Sequence, residues 1–114
     1  MEISRNDIWY AGLGFKNGSI QGGTRPVYII QNDMGNKHSP TTIVAPITSK
    51  LGKKKLPTHI LIQPEKSGLE KDSIILCEQL QTVNQNDLIK KVNHINDSTI
   101  ITSVNNAIKT SINL

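Results

Sequence analysis

Five stretches of the chain are rich in isoleucine, valine and threonine, and this pattern is typical of β-strands. Glycine, proline, asparagine and aspartate fill the segments between them, as turns require. No helical pattern separates these short strands, so we expect an antiparallel sheet that curls into a small barrel. The predicted strands cover residues 7–13, 25–31, 41–48, 58–63 and 73–83.

The spacing of apolar positions changes after residue 83, and the new spacing predicts two helices. Residues 84–87 offer a capping side chain and a first-turn acid, so a short helix should begin there. Its apolar positions are Leu88, Ile89, Val92 and Ile95. Residues 96–98 should cap a second, amphipathic helix that lies against the barrel or a partner. One face of this second helix holds Ile100, Val104, Ala107, Ile108, Ser111 and Ile112.

Length and composition predict one domain over residues 1–114. Of the 114 residues, 36% are hydrophobic and 19% are charged, which is typical of a folded chain rather than a disordered one. Cys77 is the single cysteine, so no disulfide can form within the chain, and we expect a cytoplasmic protein. No apolar run approaches the roughly 20 residues of a membrane-spanning helix, so we expect no membrane partner.

The positive charge is concentrated in the middle of the chain. Residues 16–59 contain seven lysines and arginines against one acid, Asp33, whereas the stretch from residue 60 onward is close to neutral. Such a distribution favours a positive surface that attracts polyanions. The lysines at 53–55 are equally consistent with a solvated loop, and composition alone leaves both interpretations open.

The residue types argue against a metal site and against a phosphate-binding loop. The three histidines, His38, His59 and His94, are isolated and no pair has ligand spacing, so we expect neither a metal nor a cofactor. The glycine-rich segment 18–23 lacks the Gly-Lys-Ser/Thr ending and precedes a strand instead of a helix. Cys77 follows three apolar residues and is expected to be a small buried hydrophobe.

Several short blocks stand in one order along nearly the whole chain: DIWY at 7–10, QGGTRPV at 21–27, IQND at 30–33, GN at 35–36, SPT at 39–41, IT at 47–48, KLPTH at 55–59 and LEKDSIILCEQ at 69–79. Together they resemble the MazF/PemK toxins, the endoribonucleases of bacterial type II toxin-antitoxin pairs. The resemblance implies an SH3-like barrel of about five main antiparallel strands with appended helices. It also implies a homodimer, RNA cleavage without metal, and neutralisation by a MazE-like antitoxin.

Arg25 and Thr48 match the positions that the family uses for catalysis. RNA can be cut by its own 2′-hydroxyl if the protein stabilises charge on the phosphate and helps the proton leave. A guanidinium can fork onto two phosphate oxygens, and a hydroxyl can donate a third bond. Without the resemblance, Arg25 would be interpreted as a solvated residue at a strand start and Thr48 as an ordinary strand residue. Glu78 resembles a family acid that serves as base or holds Arg25; an ion pair lining the barrel is an equal alternative.

The resemblance further implies a set of RNA contacts. Gln79 has an amide that can read a base edge, and His59 has an imidazole that can stack on a base, although a satisfied surface histidine is a competing interpretation. The lysines at residues 53–55 should contribute salt-dependent affinity for phosphates, and this affinity carries no information about the RNA sequence. The remaining implied contacts are Ser19, Gln21, Gly22, Thr24, Ser49, Lys53, Lys54 and Lys55.

The chain departs from the family pattern at two positions. Ile20 stands where many members have an acid, and Gln81 stands where a basic residue is common. The predicted function is a sequence-selective, metal-independent endoribonuclease that acts on single-stranded mRNA across a homodimer. The principal alternative is a CcdB-like toxin that uses the same barrel to inhibit a protein partner such as DNA gyrase. A weaker alternative, which Ile20 keeps open, is an RNA-binding protein that no longer cleaves.

Overall fold

The computed structural model describes residues 2–52 and 55–114, which form a mainly antiparallel β-sheet with helices. The strands are β1 (Asp7–Gly12), β2 (Thr24–Ile29), β3 (Thr41–Thr48), β4 (His59–Ile62), β5 (Ser73–Leu76), β6 (Gln81–Asn84) and β7 (Leu88–His94). The helices are α1 (Asp33–His38), α2 (Pro64–Ser67) and α3 (Ser98–Ser111). The predicted fold class is confirmed, with seven strands in the described residues instead of about five main ones.

Strand β3 is the centre of the sheet. One of its edges pairs with β2, and the other pairs with β6 along residues 41–44 and with β5 at residues 47–48. The strand order is β4-β5-β3-β2-β1-β7, with β6 beside β3. Val27 of β2 lies opposite Pro46 of β3, and continuing this antiparallel register by two residues brings Arg25 opposite Thr48. Strand pairing therefore places two distant residues of the sequence side by side.

Both faces of the central strands are buried. Because side chains alternate between the two faces of a strand, Tyr28 joins one apolar cluster while Val27 and Ile29 join another. Helix α3 contributes Val104 and Ala107 to the cluster that contains Tyr28. The sheet is thus packed on both sides, which gives the loops at its edge a rigid support.

Where the sequence predicted a helix start at residues 84–87, the structure has a single 3₁₀ turn, Gln85–Asp87. The helix predicted to continue through residues 88–95 is wrong, because Leu88–His94 is strand β7. The pairing of β7 with β1 skips one residue of β7 twice, at Ile89 and at Val92. Each such bulge adds an unpaired residue and interrupts the alternation of side chains. The apolar positions then fall at the spacing of a helical face, although the segment is extended.

The strand predicted over residues 73–83 is two strands, since residues 77–80 turn between β5 and β6 and the two strands pair with different parts of β3. Helices α1 and α2 are short and lie where the sequence predicted turns. The second predicted helix is confirmed as α3, which the Asp97 carboxylate caps by accepting from the amides of Thr99 and Ile100. Within the described ranges, no helix is long and apolar enough to cross a membrane.

Candidate functional site

An open cleft with a volume of about 390 Å³ lies where β3 ends. Three of the predicted site residues, Arg25, Thr48 and Ser49, line it together. Three charged residues that the sequence did not point to also line it: Lys50 and Lys71 add positive charge, and Glu70 adds one negative charge. Lys71 precedes β5, and only the pairing of β5 with β3 brings it to this place. We refer to this site as the cleft.

Two backbone carbonyls hold the side chain of Arg25. Its Nε–H donates to the Gly22 carbonyl at 2.9 Å, and Nη1 donates to the Ile47 carbonyl at 3.4 Å. Burial lowers the pKa of Arg25 from its ordinary value, but an arginine guanidinium stays protonated at neutral pH. Among the residues that the structure describes, no carboxylate forms an ion pair with Arg25. The Arg25 guanidinium is therefore held in a fixed direction and has no ion-pair partner within the part of the chain that the structure describes.

The Thr48 hydroxyl is oriented by the chain that follows it. Its Oγ1 accepts a hydrogen bond from the Lys50 amide at 3.2 Å. A hydroxyl that accepts in this way keeps its own proton free to donate. Thr48 and Arg25 can thus donate from neighbouring positions to one anion in the cleft.

Glu78 belongs to a second polar group, which we call the Glu78 cluster: Thr58, His59 and Glu78. The carboxylate accepts from the Thr58 hydroxyl at 3.1 Å and contacts His59 Nε2 at 2.9 Å. Because His59 Nδ1 accepts from the Leu56 amide, at 3.4 Å, Nε2 of the neutral ring carries the proton and donates to Glu78. Glu78 and Arg25, which the sequence analysis considered as partners, are not brought into contact.

Gln79 and Gln81 bind the backbone of the segment at residues 18–23, which we call the 18–23 loop. The Gln79 side chain donates to the Ser19 carbonyl at 3.0 Å and accepts from the Gln21 amide at 2.9 Å. The Gln81 side chain donates to the Gln21 carbonyl at 3.1 Å. The amide of Gln79, predicted to contact RNA, is therefore engaged within the protein.

The other predicted contacts are dispersed. Ser19, Thr24 and Lys55 are exposed, whereas Gly22 carries the carbonyl that binds Arg25. Lys53 and Lys54 lie outside the described residues. Within those residues, no group of three or more histidine, cysteine, aspartate and glutamate side chains could hold a metal ion.

Cys77 is fully buried, as the sequence predicted. Burial raises the pKa of the Cys77 thiol to about 12, and the neighbouring Glu78 adds to this effect. The thiol is therefore protonated at neutral pH and sits away from solvent, which is the state of a structural residue rather than a nucleophile.

Comparison with known proteins identifies one family and close relatives. Residues 4–112 match the family model described as "PemK-like, MazF-like toxin of type II toxin-antitoxin system". The "Endoribonuclease MazF" of Staphylococcus saprophyticus is 50% identical over 112 residues, covering 98% of this chain and 92% of the relative. The "Endoribonuclease EndoA" of Bacillus subtilis is 45% identical over 114 residues, covering 100% of this chain and 97% of the relative.

Solved structures share the fold at lower sequence identity. MazF from Deinococcus radiodurans superposes with a TM-score of 0.82 at 13% identity, covering 100% of this chain and 99% of that one. A mycobacterial endoribonuclease in complex with its cognate antitoxin gives a TM-score of 0.81 at 18% identity, covering 98% and 96%. At these identities the likeness shows the fold alone.

Proposed function

Because the chain belongs to the family of PemK-like, MazF-like toxins of type II toxin-antitoxin systems, we propose that the cleft is where it cleaves RNA. The chain is an RNA-cleaving toxin: its relatives at 45% and 50% identity over nearly the whole chain are endoribonucleases. This relationship does not favour the CcdB-like alternative, a toxin that inhibits a protein partner.

The observation that carries the proposal is that Arg25 and Thr48 line one cleft, while no carboxylate of the described residues forms an ion pair with Arg25. The reactive phosphate lies against the Arg25 guanidinium, which donates to its non-bridging oxygens, while the Thr48 hydroxyl donates a further bond. These donors stabilise the charge that grows on the phosphate in the transition state. Their contribution is to the rate of cleavage more than to the affinity for RNA.

The nucleophile is the 2′-hydroxyl of the RNA. Its oxygen bonds to phosphorus as it loses its proton, and the bond from phosphorus to the 5′-oxygen breaks as that oxygen gains a proton. The products are a 2′,3′-cyclic phosphate and a 5′-hydroxyl. Arg25 stays protonated, so the proton acceptor is a group other than this guanidinium.

Groups around the cleft fit a single-stranded substrate, since sequence can be read in RNA only where base edges are exposed. Lys50 and Lys71 supply affinity for the flanking phosphates. The Glu78 cluster offers an imidazole and a carboxylate for a neighbouring base. Lys55 is exposed and adds a positive charge that RNA can contact.

A type II toxin is neutralised by its antitoxin, and we propose a MazE-like protein as the partner. We also propose that residues 1–114 act as one domain, that two copies form a symmetric dimer sharing the RNA groove, and that the toxin acts in the cytoplasm. Sedimentation at micromolar concentration measures the dimer. A stable monomer that still cleaves RNA would contradict the shared groove.

The decisive experiment uses an RNA oligonucleotide and its analogue with a single deoxynucleotide on the 5′ side of the cut. The analogue keeps the phosphate but lacks the nucleophile, so binding should persist while cleavage stops. Cleavage of the normal RNA should survive a chelator and leave 5′-hydroxyl ends. Cutting of the deoxy analogue, or loss of cutting with the chelator, would refute the mechanism. An absence of cutting with intact RNA binding would favour the non-cleaving alternative.

A further inference from the structure

Gln79 and Gln81 are joined by backbone hydrogen bonds to the strands around the cleft. Gln81 begins β6 and lies opposite Val44 of β3, the strand that ends at Thr48. Gln79 lies in the turn before β6, where its amide donates to the Leu76 carbonyl at 3.1 Å. Both glutamines are therefore fixed relative to the strand that carries Thr48.

The 18–23 loop depends on these two side chains for its position. Backbone hydrogen bonds close its base, where Gly23 pairs with Leu13 and Gly14 at 2.9 and 2.8 Å. Beyond this base, the described hydrogen bonds that tie residues 19–21 to the rest of the protein come from Gln79 and Gln81. Without them the loop would be held only at its base.

The loop in turn positions Arg25. Its residue Gly22 packs so closely that an added Cβ would lie 2.7 Å from the Gly14 carbonyl oxygen, so only glycine fits. The carbonyl of Gly22 accepts the Arg25 Nε–H at 2.9 Å. An arginine held through Nε has its terminal nitrogens aimed in one direction, because the guanidinium is planar.

We infer that Gln79 and Gln81 are positioning residues, which hold the 18–23 loop so that the Gly22 carbonyl aims the Arg25 guanidinium at the reactive phosphate. This inference rests on the proposed function. This role could not be inferred from the sequence. Gln81 stands where a basic residue is common in the family, and such a residue would contact a phosphate. In this chain the side-chain amide of Gln81 donates to the Gln21 carbonyl instead.

Gln81 provides the cleaner test, because Gln79 is also a predicted RNA contact. Gln81→Met keeps the length of the side chain and removes the donor, and Gln81→Glu puts an acceptor against the Gln21 carbonyl. Gln63→Met and Gln63→Glu are matched controls, since Gln63 is exposed and its side chain forms no cap at α2. All four variants and the parent are measured as full chains.

Two readouts are combined. Hydrogen exchange followed by NMR reports the Gln21 amide and the Arg25 Nε–H, and steady-state cleavage of an RNA oligonucleotide gives kcat and KM. For Gln81→Met we expect both protons to exchange faster and kcat to fall by roughly three- to tenfold, the range for one lost hydrogen bond, with KM nearly unchanged. Gln81→Glu should show a larger fall, and the Gln63 variants should match the parent.

The outcomes separate the inference from the proposed function. Unchanged exchange in both Gln81 variants, or faster exchange with unchanged kcat, would overturn the positioning role while the parent still cleaves. A raised KM at unchanged kcat would mean that Gln81 binds RNA directly, and it too would overturn the inference. A parent that does not cleave RNA would refute the proposed function, and the inference with it.

Discussion

The cleft and the surroundings of Asp7 lie at opposite ends of the β1–β2 hairpin and treat charge in opposite ways. Asp7 is the first residue of β1, while Arg25 pairs with Ala11 near the end of that strand. Asp7 is completely buried and Arg25 is half-buried. Of these two polar side chains, only Asp7 is bonded by other side chains.

The Asp7 carboxylate is surrounded by donors. One oxygen accepts from the Ser4 amide at 2.9 Å and from the Trp9 indole at 3.1 Å. The other accepts from His94 Nδ1 at 2.6 Å and lies 3.6 Å from the Lys91 ammonium. A buried carboxylate with this many partners joins the start of β1 to β7, and nothing in its bonding is left for a ligand.

Arg25 by contrast has two neutral carbonyls as partners. Carbonyls fix the direction of a guanidinium without cancelling its charge, whereas a carboxylate would do both. The bonding partners of a charged side chain, more than its burial, therefore distinguish a structural group from one that can bind a polyanion.

The largest expected effect is on stability, at Asp7. Asp7→Ala leaves the Trp9 indole and the Ser4 amide without their acceptor, so the free energy of unfolding should fall by about 3–5 kcal/mol. Denaturant unfolding measures this change. The kcat of the protein that remains folded should match the parent. A fall in kcat without a fall in the free energy of unfolding would contradict this prediction, because Asp7 would then belong to the functional site.

The second effect falls on the rate of cleavage. Arg25→Ala and Thr48→Ala should each raise the barrier by about 2–4 kcal/mol, by analogy with a lost oxyanion donor, while RNA binding falls less. Arg25→Lys should recover little, because an ammonium cannot fork onto two oxygens. Single-turnover cleavage measures the rate.

The controls for these variants lie away from the cleft. Lys37→Ala removes an exposed charge from α1, and Thr82→Ala removes an exposed hydroxyl from β6. Both should keep the parent rate. Parent-like cleavage by Arg25→Ala and by Thr48→Ala together would mean that the cleft is not the catalytic site.

The smallest effect concerns Cys77 and the pH dependence of stability. The thiol has an ordinary pKa of 9.0 when exposed and a pKa of about 12 in the fold. Above pH 9 the unfolded chain releases this proton and the folded chain keeps it. The stability that the neutral thiol contributes is therefore complete below pH 9 and is lost as the pH rises toward 12.

The comparison with Cys77→Ala isolates this contribution. The free energy of unfolding of the parent should fall more steeply above pH 9, by at most about 1.4 kcal/mol per pH unit relative to the variant. Denaturant melts at several alkaline pH values provide the slopes. Parallel slopes in parent and variant would show that the thiol is not shielded as the structure indicates.

Some elements could be predicted because their signal is local. Strand β3 has its predicted bounds, and α3 follows from the Asp97 cap and a regular apolar face. Arg25 and Thr48 could be named because short blocks of sequence match a family. Where the local pattern was irregular the prediction failed: two bulges gave β7 the apolar spacing of a helix.

The tertiary structure alone decided which residues meet. Alternation along a strand fixes which side chains share a face, but the register between strands depends on pairing with distant residues. Strand pairing brings Arg25 and Thr48 into one cleft, places Glu78 against His59 and not Arg25, and lets Gln81 bond the backbone of the 18–23 loop. The sequence by itself determined the chemical groups and most of the strands. These chemical groups come together in one cleft through long-range strand pairing, because no local sequence pattern specifies which strands pair with each other.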